Sequence, residues 1–365
     1  MNRRDFLSTT ALASVTAAAG ASAGSHAGAI ETRAWEIGEK GDFSTLRLVT
    51  RRISPADGEA VVEVTHSALA ARDLAIARGW FLRDLPPTLT PLSEGVGRVV
   101  AVGGDEQRIK VGDRVTCAHF ADWIQGAWTP DNYRTDIGNT ADGWLARHAL
   151  LPTRGMIALP DGVDDETAAT MSGSGVTAWH ALHGKAGVMS GETVLTLGTG
   201  GVSSWGLLLA KAAGARVAVT SSSDEKLELM RGLGADLTVN YKRDADWGRT
   251  LFEQTGGVDV VLENVGRPTL DQSMLASGNN ARIVMIGTGP LPKSLPKMPG
   301  FYMKNLSMVA ISNGSRVMLE EMARAIQANR LRAVVGKTFK FEDAPAAFEY
   351  MAASGHAGKV LIDHG

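Results

Sequence analysis

Residues 194–220 read VLTLGTGGVSSWGLLLAKAAGARVAVT. The stretch 194–197 is a short β-rich apolar run, and 202–213 places Trp205, Leu208, Leu209 and Ala212 at helical spacing. Between them Gly198 and Gly200 stand two apart, where the first permits a tight turn and the second lets a pyrophosphate approach the backbone at a helix N-terminus. Ser203 takes the place of the third glycine of this fingerprint, so the motif alone is incomplete. Its context is stronger. Gly214 ends the helix, 216–220 forms a second strand, and Asp224 begins another helix. The unit predicts that Gly198, Thr199, Gly200, Gly201 and Val202 hold a dinucleotide; the alternative is a glycine turn in an αβ protein that binds nothing.

Outward from this unit, strands and helices alternate. Strands begin at Val194, Arg216, Leu237, Val258 and Arg282, and helices at Val202, Asp224, Ala245, Thr269 and Arg316, which calls for a parallel, doubly wound sheet. The first half differs. Residues 46–50, 59–65, 97–102 and 113–117 read as short strands separated by glycine turns such as Ser54-Pro55-Ala56-Asp57-Gly58, the pattern of an antiparallel barrel. After Arg330 the chain returns to short elements and ends in a strand at 359–362 that completes the barrel domain. The expected fold is α/β, with residues 30–160 and 331–365 in the barrel domain and 161–330 in the nucleotide-binding domain.

A chain of 365 residues suits two domains rather than one core. Its 37 basic and 39 acidic residues give a formal net charge of -2, with no run of like charges that would suit nucleic acid or a membrane surface, so the partner is a small molecule. One cysteine, Cys117, excludes an internal disulfide and any multi-cysteine zinc site. Residues 1–23 stand apart: Arg3 and Arg4 precede Phe6 and Leu7, an Ala/Thr/Ser-rich stretch follows, and Ala21-Ser22-Ala23 suits peptidase cleavage. This leader resembles a twin-arginine signal, implying the twin-arginine export machinery as a partner and a periplasmic location; the alternative is a disordered extension on a cytoplasmic protein. Its removal takes Arg3, Arg4 and Asp5, leaving 35 basic and 38 acidic residues.

With the glycine turn, the run TSSSDEKLELMRGLGADLTVNY at 220–241, Val111-Gly112-Asp113-Arg114-Val115, Leu159-Pro160-Asp161-Gly162, Gly175-Val176-Thr177-Ala178-Trp179 and the closing Gly358-Lys359-Val360, the chain resembles a medium-chain dehydrogenase/reductase. The resemblance implies a GroES-like barrel domain beside a Rossmann domain, a nicotinamide cofactor and a homodimer. It also exposes a departure. Where zinc-dependent relatives place a cysteine, a histidine and a second cysteine on the metal, this chain has Ala70, Ser93 and Gly173, so a zinc-free enzyme is expected. Polarising a carbonyl then falls to protein hydrogen bonds, the cofactor ribose or water. At the end of the second strand an NAD enzyme would carry an acidic side chain; here Ser221 and Ser222, with Lys226 and Tyr241, suit the extra phosphate of NADP, with NAD the second choice, while the alternative makes these serines helix caps. Gly287, after the fifth strand, completes the expected cofactor contacts.

For the reacting end, the resemblance implies Thr177 beside the nicotinamide, Ser93, Glu94 and Asp73 in the vacated metal corner, and His119 facing the substrate with a pKa near the ordinary imidazole value of about 6.5. Glu94 and Asp73 read equally as a structural polar cluster, and Thr177 as a helix cap. Trp80, Phe81, Phe120, Trp123 and Trp144 come from segments that wall the cleft in relatives, though ordinary core packing explains them too. Three functions fit: an NADPH-dependent, metal-independent reductase of an enone, quinone or aldehyde; a metal-free NAD(P)-dependent alcohol dehydrogenase; and a cofactor-binding protein with little turnover.

Overall fold

The computed structural model describes residues 28–37, 43–79, 88–289 and 299–365. The leader and the aromatic pair Trp80 and Phe81 lie outside the described residues. Strands β1 (Thr193–Leu197), β2 (Arg216–Ser221), β3 (Leu237–Asn240), β4 (Val258–Glu263), β5 (Ser277–Met285) and β6 (Ser307–Ala310) form a parallel sheet in the order β3-β2-β1-β4-β5-β6. Helices α1 (Gly201–Ala212), α2 (Asp224–Gly232), α3 (Trp247–Thr255) and α4 (Leu270–Ala276) connect successive strands, and α5 (Arg316–Asn329) follows β6. All of β1 is buried, as a central parallel strand covered on both faces requires. The strand of this sheet that sequence reading omits is β6, whose four residues are exposed at both ends and too few to show a period.

The first domain is built on Glu59–Leu69, which pairs antiparallel with Glu94–Val102, His148–Pro152 and Lys359–Asp363. Arg114–Cys117 and Met156–Ala158 extend the sheet on one side. On the other side Val335–Lys340 runs parallel to Lys359–Asp363, so the antiparallel expectation is corrected at that edge. Trp144, Leu69, Val99, Phe341 and Phe348 fill the interior. Trp144 belongs to this core and not to the cleft: it is fully buried, and a Cβ on Gly95 would lie 2.4 Å from its ring.

Two features bring the domains together over the glycine turn. Residues 359–363 return the chain's last strand to the first sheet, and the preceding Gly358 N–H donates to Thr199 O at 2.7 Å. The connection into the nucleotide domain winds as a π-turn at Met171–Gly175, an α-turn at Val176–Trp179 and a second π-turn at His180–Ala186. Such widened turns mark functional sites in other helices.

Candidate active site

Gly198 sits at φ +79°, a left-handed conformation that favours glycine, and nothing lies within 4 Å of where a Cβ on Gly198 or Gly200 would stand. The turn therefore presents bare backbone at the N-terminus of α1, which no side chain caps. That arrangement fits a pyrophosphate, because the unpaired N–H groups and the helix dipole both favour an anion. Ser203 earns its place where the fingerprint expects glycine: its hydroxyl donates to Leu197 O at 2.7 Å and accepts from Asn264 Nδ2 at 2.8 Å. The close helix-to-strand approach is allowed one turn later by Gly206, where a Cβ would come within 2.6 Å of Leu262.

At the far end of β2, Ser221 is buried and Ser223 caps α2, accepting from Lys226 N. Register places Asn240 beside Ser221, and Tyr241 N–H donates to Ser221 O at 3.0 Å, so Ser221, Ser222, Lys226 and Tyr241 gather at one strand end. Asp224, the first residue of α2, is held by Asn240 Nδ2 at 2.7 Å and by Arg243. Lys226 Nζ rests on Ser354 O at 3.4 Å, and Tyr241 is exposed. Gly287 lies across the divide between β1 and β4, where a Cβ would meet Asn264 O at 2.1 Å. The expected cofactor residues thus straddle the switch point of the sheet, where doubly wound folds bind ligands.

The corner around Ala70, Ser93 and Gly173 is occupied by side chains of the chain itself. Glu94 Oε1 accepts from Lys359 Nζ at 2.8 Å, Ser174 N at 3.0 Å and Ser174 Oγ at 3.1 Å, and the Glu94–Lys359 pair is buried. A Cβ at Gly173 would lie 2.2 Å from Glu94 Oε1, so no larger side chain fits there unless Glu94 moves. Asp73, also buried, accepts from Ala70 N at 2.7 Å, Ser93 N at 3.2 Å and Ser93 Oγ at 2.8 Å. Burial raises both carboxyl groups above their ordinary values; Arg72 and Ser93 oppose this at Asp73, and Lys359 opposes it at Glu94. Asp136 accepts from Arg72 Nη2 through both oxygens, at 2.9 and 2.7 Å. Sequence reading noticed Lys359 only within a closing motif and missed Ser174, since their meeting with Glu94 spans most of the chain.

His119 is buried, and this corrects the expectation of an ordinary imidazole pKa: burial, reinforced by the Arg72 charge, holds it well below 6.5, so the ring is neutral at neutral pH. It packs on Phe120 with ring centroids 4.2 Å apart. Phe120, Trp123, Trp128 and Tyr133 form a connected cluster with centroid separations of 4.6 to 5.3 Å, and Trp123 also meets His180 at 5.7 Å. Trp128 and Tyr133 are missed by sequence reading because they stand in a loop and a short 3-10 helix (Pro130–Thr135) too brief to show a period; the density of aromatics between 120 and 133 is the signal that could have found them. Thr177 donates to Gly173 O at 2.7 Å and accepts from Asn313 Nδ2 at 3.1 Å, so its hydroxyl ties the connecting helix to the loop after β6. A recess of about 380 Å³ lined by Glu31, Arg33, Glu63, Arg147 and His148 lies elsewhere on the first domain and includes none of these residues.

Comparison with known proteins agrees with both halves. Residues 56–161 match the alcohol dehydrogenase GroES-like domain family, and 201–328 match the zinc-binding dehydrogenase family. The zinc-type alcohol dehydrogenase-like protein C1773.06c of Schizosaccharomyces pombe is 36% identical over 324 residues, covering 86% of this chain and 92% of that protein. The acryloyl-coenzyme A reductase of Metallosphaera sedula is 28% identical over 319 residues, 84% of this chain and 93% of the relative. A crystal structure of a protein from Sinorhizobium meliloti 1021 assigned as an alcohol dehydrogenase superposes with a TM-score of 0.84 at 33% identity, covering 92% of this chain and 99% of that one. The chain belongs to the medium-chain dehydrogenase/reductase superfamily and is an NAD(P)-dependent oxidoreductase of that type.

Proposed function

We propose that the protein is an NADPH-dependent, metal-independent oxidoreductase that reduces an enone, quinone or aldehyde. The metal corner carries this reading. Ala70 and Gly173 offer no donor atom, Gly173 has no room for a larger side chain, and the Lys359 ammonium holds Glu94 where a dication would have to approach. Ser221, Ser222, Lys226 and Tyr241 at the end of β2 support a 2′-phosphate, and Gly198 to Val202 support the pyrophosphate. When bound, the nicotinamide supplies the hydride. Thr177 would lie beside the nicotinamide and Gly287 would contact the cofactor, Ser93 would face the substrate oxygen, and the aromatics from Phe120 to Tyr133 would receive a planar, apolar substrate. His119 acts as a neutral wall. Conjugate reduction needs less electrophilic help than alcohol oxidation because charge spreads over an enolate or hydroquinone, and the acryloyl-coenzyme A reductase relative fits that chemistry.

The leader at residues 1–23 supports export in the folded state to the periplasm, and β6 at the sheet edge offers a strand through which a homodimer could form. The deciding experiment follows NADPH oxidation optically with quinones, enals and aldehydes, and NADP reduction with alcohols. Turnover of the first group supports the proposal. Turnover of alcohols alone would favour the dehydrogenase reading, and tight NADPH binding without turnover the cofactor-binding one.

A further inference from the structure

The corner at the end of β2 has a second wall, and it comes from the other domain. Lys226, in the first turn of α2, forms no ion pair among the described residues: its Nζ rests on Ser354 O at 3.4 Å, while the neighbouring Asp224 is taken by Arg243. Ser354 follows the helix Ala344–Ala352 in a left-handed conformation, φ +55°, and opens a short segment that ends at Gly358, whose N–H donates to Thr199 O. Residues 354–358 therefore run from the Lys226 ammonium to the glycine turn. His356 stands midway. Its Nδ1 is buried and meets no partner among the described residues, its ring is backed by Tyr350 at a centroid separation of 6.1 Å, and the charges of Lys226 and Lys359 both reach it. An ammonium whose protein partner is a carbonyl, beside an imidazole with an unpartnered nitrogen, leaves donors that a phosphate can take up. We propose that His356, with Lys226, binds the 2′-phosphate of NADPH, so that this site is shared between the two domains; this rests on the NADPH reading above.

The chemistry needs no change of protonation. Burial and the two lysine charges hold His356 below the ordinary imidazole value, so the ring is neutral at neutral pH and offers one N–H. Lys226 supplies charge, the His356 N–H supplies direction, and Tyr241, exposed at the rim, adds a hydroxyl. The ribose 2′-hydroxyl of NADH is uncharged and gives Lys226 nothing to pair with. NADH would thus engage the nucleotide domain alone at this end, whereas the extra phosphate of NADPH would tie α2 to a segment of the barrel domain. Cofactor choice and the fixing of residues 354–358 over the glycine turn are then a single event.

Two small ligands test this without requiring turnover: 2′,5′-ADP, which carries the phosphate, and 5′-AMP, which lacks it. Titration of the wild type should favour 2′,5′-ADP. His356→Ala and Lys226→Met should each weaken 2′,5′-ADP by roughly tenfold, the worth of one hydrogen bond to a charged group, and leave 5′-AMP unchanged. In the wild type, amide hydrogen exchange at 354–358 should slow with 2′,5′-ADP and not with 5′-AMP, which decides the matter even if His356→Ala does not fold. His356→Ala with wild-type affinity for 2′,5′-ADP, an equal loss for both ligands, or exchange at 354–358 that the phosphate does not alter overturns the shared site and leaves the NADPH reading standing. A wild type with no preference for 2′,5′-ADP sinks the NADPH reading itself, and the shared site with it.

Discussion

Lys359 Nζ stands 2.8 Å from Glu94 Oε1, and a Cβ on Gly201 would touch the Lys359 stem at 2.5 Å, so one buried lysine joins the metal corner to the first residue of α1. Removing one partner of such a pair leaves an uncompensated charge, typically a loss of about 3 to 5 kcal/mol. Lys359→Met should lower the melting temperature clearly, and adding Glu94→Gln should recover part of the loss. Equal melting temperatures for wild type and Lys359→Met would show that the pair contributes nothing net.

Metal dependence is a direct question for the corner at Ala70, Ser93 and Gly173. Protein dialysed against chelator should retain full activity, and elemental analysis should find no stoichiometric zinc. Lost activity restored by zinc alone would refute metal independence.

Cofactor choice turns on Ser221. Wild type should prefer NADPH over NADH at least tenfold, about 1.4 kcal/mol. Ser221→Asp should reverse this by repelling the phosphate and accepting from the ribose. Titrations giving equal affinities in the wild type would argue that the serines only shape the turn.

A pH effect follows from His364, which is buried, lies 2.8 Å from Ser67 Oγ, and is held by burial down to about 3. Its folded value lies below its unfolded one, so protons are taken up on unfolding, and the stability tied to the neutral ring is lost as pH falls from 6.5 toward 3. Between pH 6.5 and pH 4 the loss amounts to about 3 kcal/mol. His364→Gln should be less acid-sensitive than the wild type when melting is compared at pH 7 and pH 4; parallel curves would exclude His364 as the cause.

Export depends on Arg3 and Arg4. Changing both to lysine should trap uncleaved precursor in the cytoplasm, observed by fractionation. Undiminished periplasmic protein would mean the leader does not use this route.

The nucleotide half was legible because its signals are local: a glycine turn, helical spacing and strand runs fall within single windows, and β1 to β4 begin within one residue of where the pattern put them, while β5 begins at Ser277, five residues before the expected Arg282. Short β6 left no such trace. At the site, Asp73, Ser93 and Glu94 were named from the resemblance, but what holds them was not visible. Lys359 reaches Glu94 across 265 positions, and no window of sequence contains both. The state of His119 was misread for a related reason, since burial is a property of the folded environment and not of the residue type.

The first two backbone N–H groups of α5, at Arg316 and Val317, donate to Trp123 O at 2.9 Å and Ile124 O at 3.1 Å. The aromatic loop of the first domain is therefore hung from a helix of the second. If the two halves swing apart to admit a dinucleotide, either these bonds break or the loop travels with the helix. The line of motion then need not coincide with the boundary between the sheets. A hinge beside the loop, not between the domains, would keep the aromatic wall in constant register with the cofactor's reacting end while the rest of the barrel opens.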